Sequence, residues 1–219
     1  MLTIYGFDFS SPANKVRFAA NAMGLKYEYK RVNLLGGEQK SPEFLKVNPT
    51  GRVPAIDDDG FHAFESTAII KYLAAKNNSS LYPTDLKKRT MVDQWIDFTN
   101  IHVATALQRV TFNRVMYNLI KVEKDERSLN DGIRFLGQYL PIIEKQLKEN
   151  KFLAGGEMTL ADINLLAALD PAELSSVDLS IYPSITNWRK NLKSQSFYKQ
   201  CHNSLEEVFQ AMTAGAAAR

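Results

Sequence analysis

Apolar residues change period along this chain. In the first third they alternate in short runs: LTIYG (2–6) and YEYKRVNL (27–34) read as strands. VPAID (53–57) and HAFE (62–65) read as the arms of a hairpin about Asp59-Gly60. NKVRFAANAMG (14–24) and STAIIKYLAAK (66–76) carry the helical period, and Gly24 closes the first. The order is βαβ, then ββα. Crossover and adjacency rules fold it into a small mixed four-stranded sheet covered by helices.

The polar, proline-bearing stretch NNSSLYPTD (77–85) marks a change of regime. Beyond it every strong signal is helical. One long run covers 87–118, and a second covers 126–150 with a kink expected at Pro141. TLADINLLAALD, SITNWRKNLK and a single helix over 196–212 complete a bundle of about five helices. The expected organisation is a domain over 1–78, a linker at 79–86, an all-helical domain over 87–212 and a tail at 213–219.

With 219 residues, 45% hydrophobic and 23% charged, the chain has an ordinary globular composition and enough length for a large core. A net charge of +3, with no basic run interleaved with aromatics, argues against a nucleic-acid partner. No window approaches the ~18 apolar residues of a membrane span, and MLTIYGFDF lacks a signal peptide's basic start. The single cysteine, Cys201, cannot close an internal disulfide, which fits a reducing cytoplasm; embedded in a late helix, it reads as an inert buried thiol. His62, His102 and His202 show no ligand spacing, so no metal is expected. Trp95 and Trp188 read as core, and Thr159 with Asp162 as a structural capping box.

The most informative stretch is GRVPAIDDDGFHAFES, residues 51–66. Pro54 has no N–H to donate and keeps Val53 extended, so Val53 is left with free main-chain groups. Glu65-Ser66 opens a helix whose first N–H groups welcome a carboxylate, although an acid and a hydroxyl there are favourable without any ligand. Together they form a docking edge for a small extended peptide with a free carboxylate. Ser10 and Ser11 stand before Pro12 at another helix start, where a hydroxyl can cap the helix or donate to a bound thiol.

MLTIYGFDFSSPANKVRFAANAMGLKYEYKRVNL, GGEQKSPEFLKVNPTGRVPAI, FESTAIIKYLA and FLAGGEMTLADINLLAAL resemble cytosolic glutathione transferases almost end to end. The resemblance implies a thioredoxin-like first domain, a cis Val53–Pro54 bond, an all-helical second domain, glutathione as co-substrate and a cytoplasmic homodimer. It places Ser10, five residues before Lys15-Val16, as the thiol-activating serine of a serine-type (bacterial, theta or phi-like) enzyme. Ser11 is the alternate and the expected cap; Tyr5, the tyrosine-type rival, sits in the strand alternation. Asn14 is a weak substitute for the asparagine that many relatives carry where this chain has Pro12. Glu65 is implied against the γ-glutamyl ammonium, Ser66 against its carboxylate, and Val53 with Pro54 along the cysteinyl residue. Gln39, Arg52 and, less so, Lys40 fall against the glycyl carboxylate. With no cysteine in the Ser10 loop, activation of the glutathione thiol is implied over a covalent enzyme intermediate. The electrophile pocket is expected where the first long helix faces that loop, with Arg109, Phe112, Asn113 and Met116 on one helical face and Phe9 and Tyr117 at the rim. A cysteine-free disulfide or peroxide reductase and a non-catalytic scaffold are the alternatives.

Overall fold

The structure, a computed structural model, describes residues 1–217. Strand β1 (Leu2–Gly6) lies inside a four-stranded sheet of order β2-β1-β3-β4. Its parallel neighbour β2 (Glu28–Arg31) is reached through α1 (Ser11–Ala22), the crossover that a parallel pair requires. β3 (Ala55–Asp58) and β4 (Phe61–Phe64) are antiparallel, with Ile4 opposite Ile56 and Ala55 opposite Phe64. Alternation sends Ile4 into the large core with α1 and α3 (Ser66–Lys76), and Tyr5 to the other face, beside Val32, Phe44 and Ala55. Tyr5 stacks edge-on with Phe44 at 5.9 Å, which accounts for it as packing.

β2 is shorter than its alternating pattern, ending at Arg31 just before the Val32 N–H bonds to Gly6 O at 2.7 Å. The stretch toward Pro54 also contains a helix that periodicity did not mark, α2 (Pro42–Val47). Ser41 starts it, with its hydroxyl accepting from Phe44 N–H at 3.2 Å.

The helical half begins with α4 (Leu86–Phe98), capped by Asp85. The run continues through a π turn (Thr99–Ala104), α5 (Thr105–Thr111), a second π turn (Phe112–Met116) and α6 (Tyr117–Leu119). α7 (Glu126–Glu149) passes through Pro141 as one helix. α8 (Leu160–Leu169) is apolar on all sides and buried on nearly all, and it packs on both α1 and α4. The box at its start is formed: Asp162 accepts from the Thr159 N–H, and also from the Leu153 N–H and the Trp188 indole.

The helix expected over 196–212 is broken. It divides into α10 (Ser196–Lys199), which follows α9 (Pro183–Ser194), and α11 (Leu205–Ala217). Ser204 starts a new helix by accepting from Glu207 N–H at 3.2 Å, local bonding that outcompetes continuation. Cys201 therefore lies in a turn rather than a helix, and burial pushes its thiol up to about 11. α11 also runs past 212, into the expected tail. No described helix is long and apolar enough to cross a membrane.

Candidate active site

Sheet register gathers the chemistry at one end. Tyr5 pairs with Ala55 and Ala55 with Phe64, so the exit of β1, the entry of β3 and the exit of β4 are neighbours. Those three points lead directly to the Ser10 loop, Val53-Pro54 and Glu65-Ser66.

Ser10 is the N-cap of α1: its Oγ accepts from Ala13 N–H at 3.4 Å. This corrects the expectation that Ser11 caps; Ser11 occupies the first helical position. Capping uses a lone pair, so the Ser10 O–H proton is left to donate, and among the described residues neither serine hydroxyl has an acceptor. Asn14 is not a substitute amide. It is fully buried, with its amide donating to Asp8 O at 2.8 Å and its carbonyl accepting from Arg17.

The Val53–Pro54 bond is cis, and among the described residues the Val53 N–H and C=O make no hydrogen bond. Helices α1, α2, α4, α7 and α8 all begin with a side-chain cap, whereas α3 has none. Its N-cap residue Glu65 sits at φ +67, in the left-handed region that disfavours an L side chain. Among the described residues the first N–H groups of α3, led by Ser66, are thus without a protein partner, and the Glu65 side chain does not cap the helix. Gln39 stands in a short turn (Glu38–Lys40) with its carbonyl oxygen buried and unpartnered. Gly51, at φ +62, backs that turn so closely that a Cβ would lie 2.7 Å from the Lys40 ammonium. Arg52 is exposed beside it, and Lys40 reaches Thr50 O at 3.5 Å.

A cavity of about 190 Å³ opens between the Ser10 loop and the helical domain. Phe9, Ser11, Pro12 and Lys15 form its near wall. Ala104, Leu107, Gln108 and Thr111 face them from the long helical run, and Ala168, Pro171 and Leu205 close the back. Phe9, in the turn before α1, lines this cavity, but the helical face that lines it differs from the one expected. Arg109, Phe112, Asn113, Met116 and the rim residue Tyr117 are not among the lining residues. α7 takes Arg109 and Asn113: a Cβ on Gly132 would sit 3.0 Å from Arg109 Cβ, and Asn113 Oδ1 accepts from Asp125 N–H at 2.8 Å. Residues 104, 107, 108 and 111 have the same helical spacing and a more apolar character; Gly132, inside an amphipathic helix, was the sign of where α7 presses closest.

Lys15 lies one turn below Ser11 on α1. It is nearly fully buried, and its ammonium donates to Thr67 Oγ1 and Asn100 Oδ1, each at 3.4 Å. Desolvation lowers its pKa to about 8, against the opposing pull of Glu65. Trp95 and Trp188 are core residues; His62 pairs with Asp57, His102 stacks on Tyr139, and His202 bonds Asp170. Among the described residues no cluster of His, Cys, Asp or Glu could hold a metal.

A thioredoxin-like half with an unpaired main-chain edge at Val53, joined to a helical half across an apolar cavity, is the two-domain architecture of the glutathione transferase fold. The family model of the glutathione S-transferase N-terminal domain matches residues 1–75, and that of the C-terminal domain matches residues 86–196. The chain is 32% identical to glutathione S-transferase D7 of Drosophila melanogaster over 87% of its own length and 83% of that protein's. A delta-class glutathione transferase of Nilaparvata lugens superposes with a TM-score of 0.83 at 30% identity, covering 97% of this chain and 100% of that one. A glutathione S-transferase-I bound with lactoylglutathione gives 0.83 at 29% identity, over 91% and 97%. The protein belongs to the cytosolic glutathione transferase family, and its reaction class is transfer to glutathione.

Proposed function

We propose that Ser10 donates its hydroxyl proton to the glutathione sulfur and holds it as thiolate for direct attack on an electrophile in the adjoining cavity. The observation that carries this reading is the uncapped start of α3 beside the unpaired main chain of Val53. These fit, respectively, the γ-glutamyl carboxylate at Ser66 and the cysteinyl backbone as a short added strand. Glu65 takes the γ-glutamyl ammonium, and Gln39 with Arg52 takes the glycyl carboxylate. The similar solved structure bound with lactoylglutathione supports glutathione as the ligand.

A free thiol titrates near ~8.5, and one charge-assisted hydrogen bond contributes about 1.5–3 kcal/mol, enough for a depression of one to two pH units. The positive end of α1 adds to it. Proximity in a partly dry cleft supplies much of the remaining acceleration. With no cysteine in the loop, the sulfur attacks from glutathione itself, at an electrophilic carbon, a peroxide oxygen or a disulfide sulfur. A cytoplasmic homodimer completes the reading; exposed Phe61 and Phe64 on the edge strand β4 are apolar surface suited to a second copy, which sedimentation velocity checks.

Ultraviolet thiolate absorbance of bound glutathione against pH tests the serine. In wild type the thiol titrates one to two units below its free value, and Ser10→Ala returns it while Ser11→Ala does not. Loss with Ser11→Ala alone would transfer the role to Ser11. Tight binding with an unshifted thiol would favour a binding protein over a transferase.

A further inference from the structure

Among the described residues lining the cavity, Lys15 alone has an ionisable side chain. The other walls are apolar, apart from the hydroxyls of Ser11 and Thr111 and the amide of Gln108. Its ammonium is buried, yet its two acceptors are a hydroxyl and an amide oxygen at long distance, and no carboxylate lies within 4.0 Å among the described residues. Of its three donors, one has no acceptor among the described residues. A buried cation in this condition is expensive unless an anion arrives. Glu65 is the nearby opposite charge, and in the reading above it is engaged by the γ-glutamyl ammonium.

We propose that Lys15 makes the second-substrate cavity selective for apolar electrophiles that carry an anionic group, a carboxylate foremost. The proposal rests on the assignment of this cavity to the electrophile. The acid group enters beside Lys15 while the apolar body lies along Leu107, Ala104 and Leu205. In the reaction the glutathione sulfur bonds to the electrophilic carbon and the leaving group departs with its electron pair; for an aryl chloride, chloride leaves and the ring regains aromaticity. Lys15 touches only the remote carboxylate and changes no bond. It therefore acts on substrate choice.

The test pairs chloronitrobenzoate, an activated aryl chloride bearing a carboxylate, with its methyl ester. Lys15→Met lowers kcat/KM for the acid roughly 10- to 100-fold more than for the ester, the range of one charge-assisted hydrogen bond. Lys15→Arg recovers most of that difference. Because the comparison is between enzymes, the unequal intrinsic reactivity of acid and ester cancels. Binding is measured alongside by titrating methylnitrobenzoate, which has no leaving group, and its ester into glutathione-loaded wild type; the acid binds at least about tenfold tighter. Equal binding of acid and ester in wild type overturns the proposal even if the methionine variant does not fold. Equal losses for both substrates, accompanied by a raised KM for glutathione, also overturn it and assign Lys15 to glutathione's own carboxylate. Preferential binding of the acid with turnover of neither compound would uphold Lys15 and remove the transfer reading instead.

Discussion

Burial holds the Lys15 ammonium at a pKa of about 8, against 10.5 in an unfolded chain. Between those values the unfolded state binds the extra proton, so the contribution of Lys15 to stability rises with pH across that window and is unfavourable below it. Lys15→Met, which keeps the apolar stem, is accordingly expected to be more stable than wild type at pH 7 by about 1–3 kcal/mol. The gap narrows as pH approaches 10, and urea unfolding of both proteins at pH 7 and pH 10 reads it directly. Residues of this kind are the least legible in sequence. Lys15 stood out only as a register mark before Val16, because its surroundings come from Thr67 and Asn100, 52 and 85 positions away. Val53-Pro54 and Glu65-Ser66 were legible because their chemistry is local: a missing N–H and a helix start are properties of adjacent residues. The choice between Ser10 and Ser11 as cap was misread, since either hydroxyl fits the same short pattern and only the backbone angles decide.

Helices and strands followed their periodicity wherever one face was buried. Errors came where local hydrogen bonding or close packing intervened. Ser204 restarts a helix that apolar spacing alone would have continued, and α7 claims the face of α5 that looked richest in chemistry. Asp162 shows the opposite case, a sequence box that governs more than its own helix. Its carboxylate is buried, which raises its pKa, and it is held by two backbone N–H groups, the Thr159 hydroxyl and the Trp188 indole. Asp162→Ala strands those four donors and is expected to cost upward of about 4 kcal/mol in urea unfolding, at roughly 1–3 kcal/mol for each donor left buried and unpaired. The bound thiol's titration should stay where it is in any fraction that folds, because the damage lies between α8 and α9.

Across the whole molecule, the unpaired edge at Val53 and Ser66 belongs to one domain and most of the cavity wall to the other. α1 joins them through its packing on α8 and α10, and Phe18 meets Tyr198 at 5.0 Å. α11 then returns over the cavity: Leu205 lines it, and Phe209 lies 5.3 Å from Phe9. Loss of one such aromatic contact is worth about 0.5–1.5 kcal/mol. Phe209→Ala should therefore raise KM for an apolar electrophile roughly two- to tenfold while the glutathione KM changes less than twofold, as steady-state kinetics with each substrate varied will show. This return was hidden in sequence because the helix was expected to run unbroken over 196–212, and the turn ahead of Ser204 redirects it.

The π turn at Thr99–Ala104 sits immediately ahead of the cavity face of α5. A turn of that kind holds one residue more than the α-helical turn it replaces, and each α-helical residue advances the face by about 100°. The turn is therefore slack in the long helical run. Removing one residue inside it would restore an ordinary α-helical turn and leave the cavity face of α5 pointing where it does, whereas a residue gained or lost in the regular stretch beyond would rotate that face by about 100°. Asn100, which bonds Lys15 and Thr67 from within the turn, marks the position such a deletion has to spare.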